Sequence, residues 1–302
     1  MSRTLVVVTC KRDQWNFELL CRSMGKFLEP CKVIIVYNES AETSNSWEKF
    51  FKRHCKPFIN NFDVKLMYKE QFWQLSDENH LTEMEKSGWV DQQVLKLCVA
   101  EQVETEFYLV LDSKNFFIAS TNINHIKQIQ PESTDWCEPI LKNWITTCCE
   151  TFDVTLPSTP IKLTQNTTPY LLRTKSAKDL VEFFGGSKFL YKWFSLEARK
   201  EKHGPSEFFL YEIFTMRYGY RNLGDTKQNC IAFWSFMHTR EKWARKDYIL
   251  HIDNLKSLYF IKVAGIHSLL RPYWTEEFVR DILYHLNCGD IIPDGMPFIK
   301  SK

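Results

Sequence analysis

Hydrophobic positions in the first 120 residues follow two rhythms. Leu5 to Thr9, Val33 to Tyr37, Val64 to Tyr68 and Phe107 to Leu111 are short apolar runs of the kind that form strands. The first two and the last are uninterrupted, as in a parallel sheet covered on both faces. Between the runs, Trp15 to Phe27 and Gly88 to Val103 space their apolar residues as helices do. In the second helix Val90, Val94 and Leu97 form a core stripe, and Trp89, Gln93 and Lys96 run beside it. Strand and helix therefore alternate, which predicts an α/β fold of the Rossmann type, a mostly parallel sheet flanked by helices. Asp112 then ends a strand at the sheet's C-terminal edge, where open α/β sheets bind ligands.

The second half reads as more helical. A strand is expected at Tyr170 to Leu172 and helices near Ser176 to Phe184, Phe189 to Lys200 and from Ser206 onward, the last with Pro205 as stop and Ser206 as N-cap. A final strand at Tyr259 to Val263 leads to His267, and a closing amphipathic helix covers Thr275 to Leu286. No repeat, low-complexity tract or Gly/Ser linker interrupts the chain, so a single domain of 302 residues is expected, with a soft internal boundary.

Composition narrows the function more than the fold. Lys and Arg total 39 against 37 Asp and Glu, a net charge of +2 that gives no overall drive toward nucleic acid. The basic runs at 199–202 and 240–246 each include a Glu and read first as solvated helix faces, with an anionic membrane or other polyanion as the second reading. The ten cysteines form no C-x-x-C pair and no zinc spacing, and read as reduced thiols. No apolar run is long enough to span a bilayer, and the start of the chain lacks signal-peptide features, so a soluble cytoplasmic protein is expected, in a host cytoplasm if the chain is viral. No Gly-rich phosphate loop is present, which argues against a P-loop enzyme, a dinucleotide dehydrogenase and a nucleotidyltransferase.

The chemistry concentrates where the fourth strand ends. Asp112-Ser113-Lys114-Asn115 offers an acid, a small residue, a cation and an amide in succession. A diphosphate leaving group needs compensation for its growing charge, from a carboxylate-held cation or from a nearby lysine. The plain alternative is an acid that caps a turn. Glu207 lies in the first turn of its helix, where it is either a capping acid or the carboxylate that takes a proton from an acceptor hydroxyl.

The segments Gly88 to Leu97 and Tyr108 to Phe117, with Thr168-Pro169-Tyr170, Ser206-Glu207-Phe208 through Tyr211, and Gly265-Ile266-His267-Ser268, resemble a family of bacterial and viral glycosyltransferases with the GT-A fold. The resemblance implies one catalytic domain, with residues 1–120 binding a nucleotide-sugar donor, such as a UDP-sugar, and residues 121–302 facing a glycan, glycoprotein or lipid-linked acceptor. It implies that Thr9, Asp13, Trp89, Gln92, Gln93, Lys96, Asp112, Ser113, Lys114 and Asn115 contact the donor. The bland reading of Trp89, Gln92, Gln93 and Lys96 is a polar helix face. Asp112 takes the place of the first acid of the family's Asp-x-Asp motif, whereas Lys114 stands where the second acid would be. Two mechanisms follow: Asp112 and His267 hold a Mn²⁺ or Mg²⁺ completed by substrate phosphates, or Lys114 replaces the metal. The alternative to an enzyme is a nucleotide- or sugar-binding protein of the same fold that has lost its chemistry.

Overall fold

The computed structural model describes residues 2–39, 41–72, 88–126, 139–155, 168–200, 204–219, 233–235, 262–265, 275–294 and 296. Strands β1 (Arg3–Thr9), β2 (Lys32–Tyr37), β3 (Asp63–Tyr68) and β4 (Phe107–Asp112) form parallel pairs. The later β6 (Tyr170–Arg173) joins antiparallel to β4, which gives the order β3-β2-β1-β4-β6. This is the expected α/β architecture with one antiparallel edge. A smaller sheet is built from β5 (Asn115–Phe117), β7 (Phe233–Ser235) and β8 (Val263–Gly265), in the order β5-β8-β7. Of the strand expected at Tyr259 to Val263 only Lys262 and Val263 are described, with the strand starting at Val263, and His267 lies outside the described residues.

Strand alternation sorts the core into two layers. Val6, Val8, Val36, Tyr108 and Val110 face one side and pack with α3 (Gly88–Cys98), α4 (Pro139–Thr151), α5 (Thr174–Phe183), α6 (Ser187–Lys200) and α7 (Glu207–Arg217). Leu5, Val7, Ile35, Leu109 and Leu111 face the other side, against α1 (Gln14–Phe27) and against Trp47 of α2 (Ala41–Phe50). A third cluster joins α8 (Glu276–His285) to Leu19 of α1 and Phe116 of β5. Asp112 shares the parity of Tyr108 and Val110, so its carboxylate emerges on the layer of α3 and α7. The expected extension of α3 to Val103 ends sooner, because Val99–Gln102 tightens into a 3-10 turn.

Candidate active site

Asp112 ends β4 beside Val8 of β1, at the C-terminal edge of the sheet. Ser113 and Lys114 turn the chain into β5. Asn115 locks this turn: its Oδ1 accepts the Asp112 backbone N–H at 2.8 Å and the Thr168 hydroxyl at 2.8 Å. The Asn115 Nδ2 is buried without a partner, as are Asn38 Oδ1 and Thr9 Oγ1 at the same edge of the sheet. Such buried orphans cost free energy unless another group meets them.

Two elements aim charged groups at Asp112 from above. Helix α3 supplies Lys96, whose ammonium lies 2.9 Å from Asp112 Oδ1, and Gln92, whose amide donates to the same oxygen at 3.2 Å. Helix α7 begins at Glu207, N-capped by Ser206, whose hydroxyl accepts the Phe208 N–H at 3.1 Å. Lys96 reaches Glu207 Oε1 at 2.8 Å, and the Gln93 amide, turned to present its nitrogen, donates to the Glu207 carboxylate. From the turn, Lys114 places its ammonium 2.8 Å from Asp112 Oδ2. Two carboxylates and two ammonium groups thus form one neutral cluster. Phe208 closes its inner wall, stacked on Tyr170 at 4.0 Å with the Lys96 ammonium 5.1 Å over its ring.

The environment pushes the two acids apart. Burial favours a protonated Asp112, but Lys114 and then Lys96 outweigh it and hold the carboxyl far below its usual range. Burial raises Glu207 above its usual value, against the pull of Lys96. Lys96 is itself raised: burial alone would lower it, and Asp112 and Glu207 overcome that. Only Asp112 and Lys114 reach the surface, with side chains 13% and 17% exposed against 4% for Lys96 and 2% for Glu207.

The structure therefore brings together Gln92, Gln93, Lys96, Asp112, Ser113, Lys114, Asn115 and Glu207. Glu207 is buried with both oxygens engaged, because the start of α7 tucks under Lys96, so it can meet an acceptor only when Lys96 moves away. Thr9 turns by strand alternation toward the α1 layer, away from Asp112. Asp13 sits in a short 3-10 turn and accepts the Cys10 thiol at 3.5 Å. Trp89 is half-buried and packs near Trp144, with ring centroids 6.3 Å apart. Two residues not among the expected donor contacts join the site. Thr168 bonds Asn115, and Asn38, just past β2, donates from Nδ2 to the Gly88 carbonyl at the start of α3 at 2.9 Å. A polar residue directly after a fully apolar strand was the available signal for Asn38.

A resident divalent cation fits this donor set poorly. Each Asp112 oxygen already holds an ammonium group, and among the described residues no three His, Cys, Asp or Glu side chains gather into a metal site. Two clefts lie elsewhere. One of about 590 Å³ opens at the opposite sheet edge around Arg3, Lys32 and Glu104, and one of about 790 Å³ lies near Phe72, Cys98 and Lys178. Neither contains the Asp112 cluster. The eight described cysteines are free thiols, and among the described residues no helix is long and apolar enough to cross a membrane.

The fold and the placement of its charged cluster define an α/β protein with a polar site at the strand ends. Residues 5–245 match the model of a family of unknown function, DUF6492, and the chain belongs to that family. No curated protein matches the chain. Among solved structures it is similar to the apo form of mouse xyloside xylosyltransferase 1, at 12% identity and a TM-score of 0.41, over 88% of this chain and 97% of that one. It is similar to the apo bifunctional glycosyltransferase WbbM at 11% identity and a TM-score of 0.44, over 96% of this chain and 51% of that one. A weaker likeness to S. aureus TarS has 14% identity and a TM-score of 0.29, over 60% of this chain and 30% of that one. None of the three is similar enough to carry an argument about what this chain does.

Proposed function

We propose that the chain transfers a glycosyl group from a nucleoside-diphosphate sugar, with UDP the first nucleotide to test, to a hydroxyl of a glycan, glycoprotein or lipid-linked acceptor. The observation that carries this reading is the neutral cluster of Asp112, Lys114, Lys96 and Glu207 at the C-terminal edge of a parallel sheet. The edge is where α/β sheets receive ligands, and the cluster holds two cations that a diphosphate can recruit. The orphaned polar atoms of Asn38 and Asn115 support the same edge. In this reading residues 1–120 hold the donor and residues 121–302 form the acceptor side of one catalytic domain.

In the proposed reaction the donor diphosphate draws Lys114, and then Lys96, away from the carboxylates. The bond from the anomeric carbon to the β-phosphate oxygen breaks, and the negative charge left on that oxygen is met by the two ammonium groups. The acceptor oxygen bonds to the anomeric carbon, and its proton passes to Glu207, freed from Lys96 and already the weaker acid of the pair. Asp112 stays ionised and orients Lys114. The lysines take the part that a divalent cation would otherwise play.

The test is hydrolysis and transfer from a panel of nucleotide sugars in the presence of a chelator, with Asp112→Asn and Lys114→Ala beside the wild type. Turnover of at least one donor that is lost in both variants supports the reading. Nucleotide binding with no turnover of any donor, with or without Mn²⁺, assigns the site to a binding protein instead.

A further inference from the structure

The outward face of α6 carries a feature that transfer chemistry does not use. Leu190, Tyr191 and Phe194 of this helix are buried. At about 100° per residue, Phe189 and Leu196 lie on the opposite side. Phe189 is 56% and Leu196 46% exposed, and they count because they lie together on one face. Lys192 and Lys188 project on one flank of this apolar strip and Lys200 on the other, all exposed.

The strip belongs to a wider aromatic surface. Phe189 lies over Gly185, where an added Cβ would sit 3.4 Å from its ring. Trp193 meets Phe184 at 5.4 Å, Phe184 meets Phe183 at 5.4 Å, and Phe183 meets Tyr218 at 6.1 Å between centroids. Phe183 and Tyr218 are 46% and 45% exposed. Arg217 is exposed at this end, with its guanidinium 5.9 Å from the centre of the Tyr218 ring.

We infer that this face docks on an anionic lipid surface. The occupant follows from the charge pattern. Helix α6 exposes Lys188, Lys192 and Lys200, and the acid of its described side chains, Glu197, pairs with Lys200 at 2.6 Å. Exposed rings and a leucine with lysines on both flanks suit a headgroup boundary, where the apolar groups enter the acyl region and the long lysine stems carry their charges back to lipid phosphates. Contact at the surface requires no membrane-spanning helix.

The docking face is also tied to the candidate active site. Gly204, at φ +60°, passes so close to Ala198 of α6 that an added Cβ would lie 2.9 Å from its backbone, and the chain then runs directly into Ser206 and Glu207. The segment leading into Glu207 therefore packs directly on α6, the helix that carries the docking face. The docking itself does not depend on the transfer reading.

The experiment is co-sedimentation of the full chain with phosphatidylcholine vesicles and with vesicles containing phosphatidylserine, at low and high salt. The expected result is binding to the anionic vesicles that weakens with salt. Lys188→Glu combined with Lys192→Glu should weaken it by about fivefold or more per lysine. Phe189→Ser combined with Leu196→Ser should reduce it by at least about tenfold. Both double variants should melt as the wild type does, since the substituted side chains are exposed. Equal binding to neutral and anionic vesicles, binding unchanged in both variants, or no binding at low salt would overturn the proposal. So would a concentration-dependent dimer lost in the Phe189/Leu196 variant without vesicle binding, which would assign the face to a second copy of the chain.

Discussion

Lys96 and Glu207 are 111 positions apart in sequence, yet their ammonium and carboxylate meet at 2.8 Å with both side chains almost wholly buried. The pair joins α3 to the first turn of α7 and so couples the helix over the parallel sheet to the more helical second half. It also fixes Asp112, because the same ammonium reaches that carboxylate.

Removing Lys96 should expose this coupling. Lys96→Met leaves two buried carboxylates without their shared cation, and loss of one partner of a buried ion pair costs about 3–5 kcal/mol. Adding Glu207→Gln removes one of the stranded charges and should recover part of the loss. Urea unfolding of the two single variants and the double variant measures the coupling. Additive losses would show that the two groups do not interact in solution.

Much of this frame was legible in the sequence, and the reasons are local. Uninterrupted apolar runs at Leu5 and Val33 dictate buried parallel strands, and the Val90, Val94 and Leu97 stripe dictates α3. Helix α4 was missed because its buried face uses Cys148 and Cys149 beside Ile145, and these cysteines were read as thiols rather than as small apolar residues. Helix α2 was missed because AETSNSWEKF offers few apolar positions, with Trp47 the main anchor. At the site, the strand end marked Asp112 and the helix start marked Glu207, whereas Lys96 stood out from a polar helix face only through the family resemblance. No local pattern encodes that Lys96 would bridge the other two, since that depends on how β6 and α7 return to the sheet.

Asn115 should be needed to shape the turn rather than to react. Asn115→Leu removes the acceptor for the Asp112 N–H and the Thr168 hydroxyl and leaves both donors buried, a loss of about 1–3 kcal/mol for each unsatisfied group. Chemical unfolding should show that loss. A change within about 0.5 kcal/mol would mean that the turn is held by something else.

Acid should weaken the cluster through Asp112. Its folded carboxyl lies well below the ordinary value of 3.8, so its stabilising contribution is complete above that value and is lost as pH falls through the lower folded value. Glu207 is shifted the other way, so the comparison is cleaner in a Glu207→Gln background. There, the stability difference between Asp112 and Asp112→Asn should stay flat between about pH 5 and 8 and shrink below about pH 4. A difference independent of pH down to acid unfolding would show that Asp112 has no depressed titration.

The substitution that most directly probes the chemistry is Lys114→Asp. In the proposed reaction the Lys114 ammonium meets the charge on the departing diphosphate, and removal of one such group costs about 10²–10³ in turnover. Lys114→Ala should show that loss when assayed well below its melting temperature, which falls because Asp112 loses the cation that most lowers its carboxyl. Lys114→Asp supplies a second acid to stand with Asp112 and removes the ammonium from Asp112 Oδ2, a donor set able to share a hard cation with substrate phosphates. Its turnover should be as low as that of Lys114→Ala in a chelator and should rise on addition of Mn²⁺, while the wild type is indifferent to both. Metal-dependent turnover in the wild type, equal in kind to that of the variant, would remove Lys114 from the role of counter-charge and return Asp112 to metal binding.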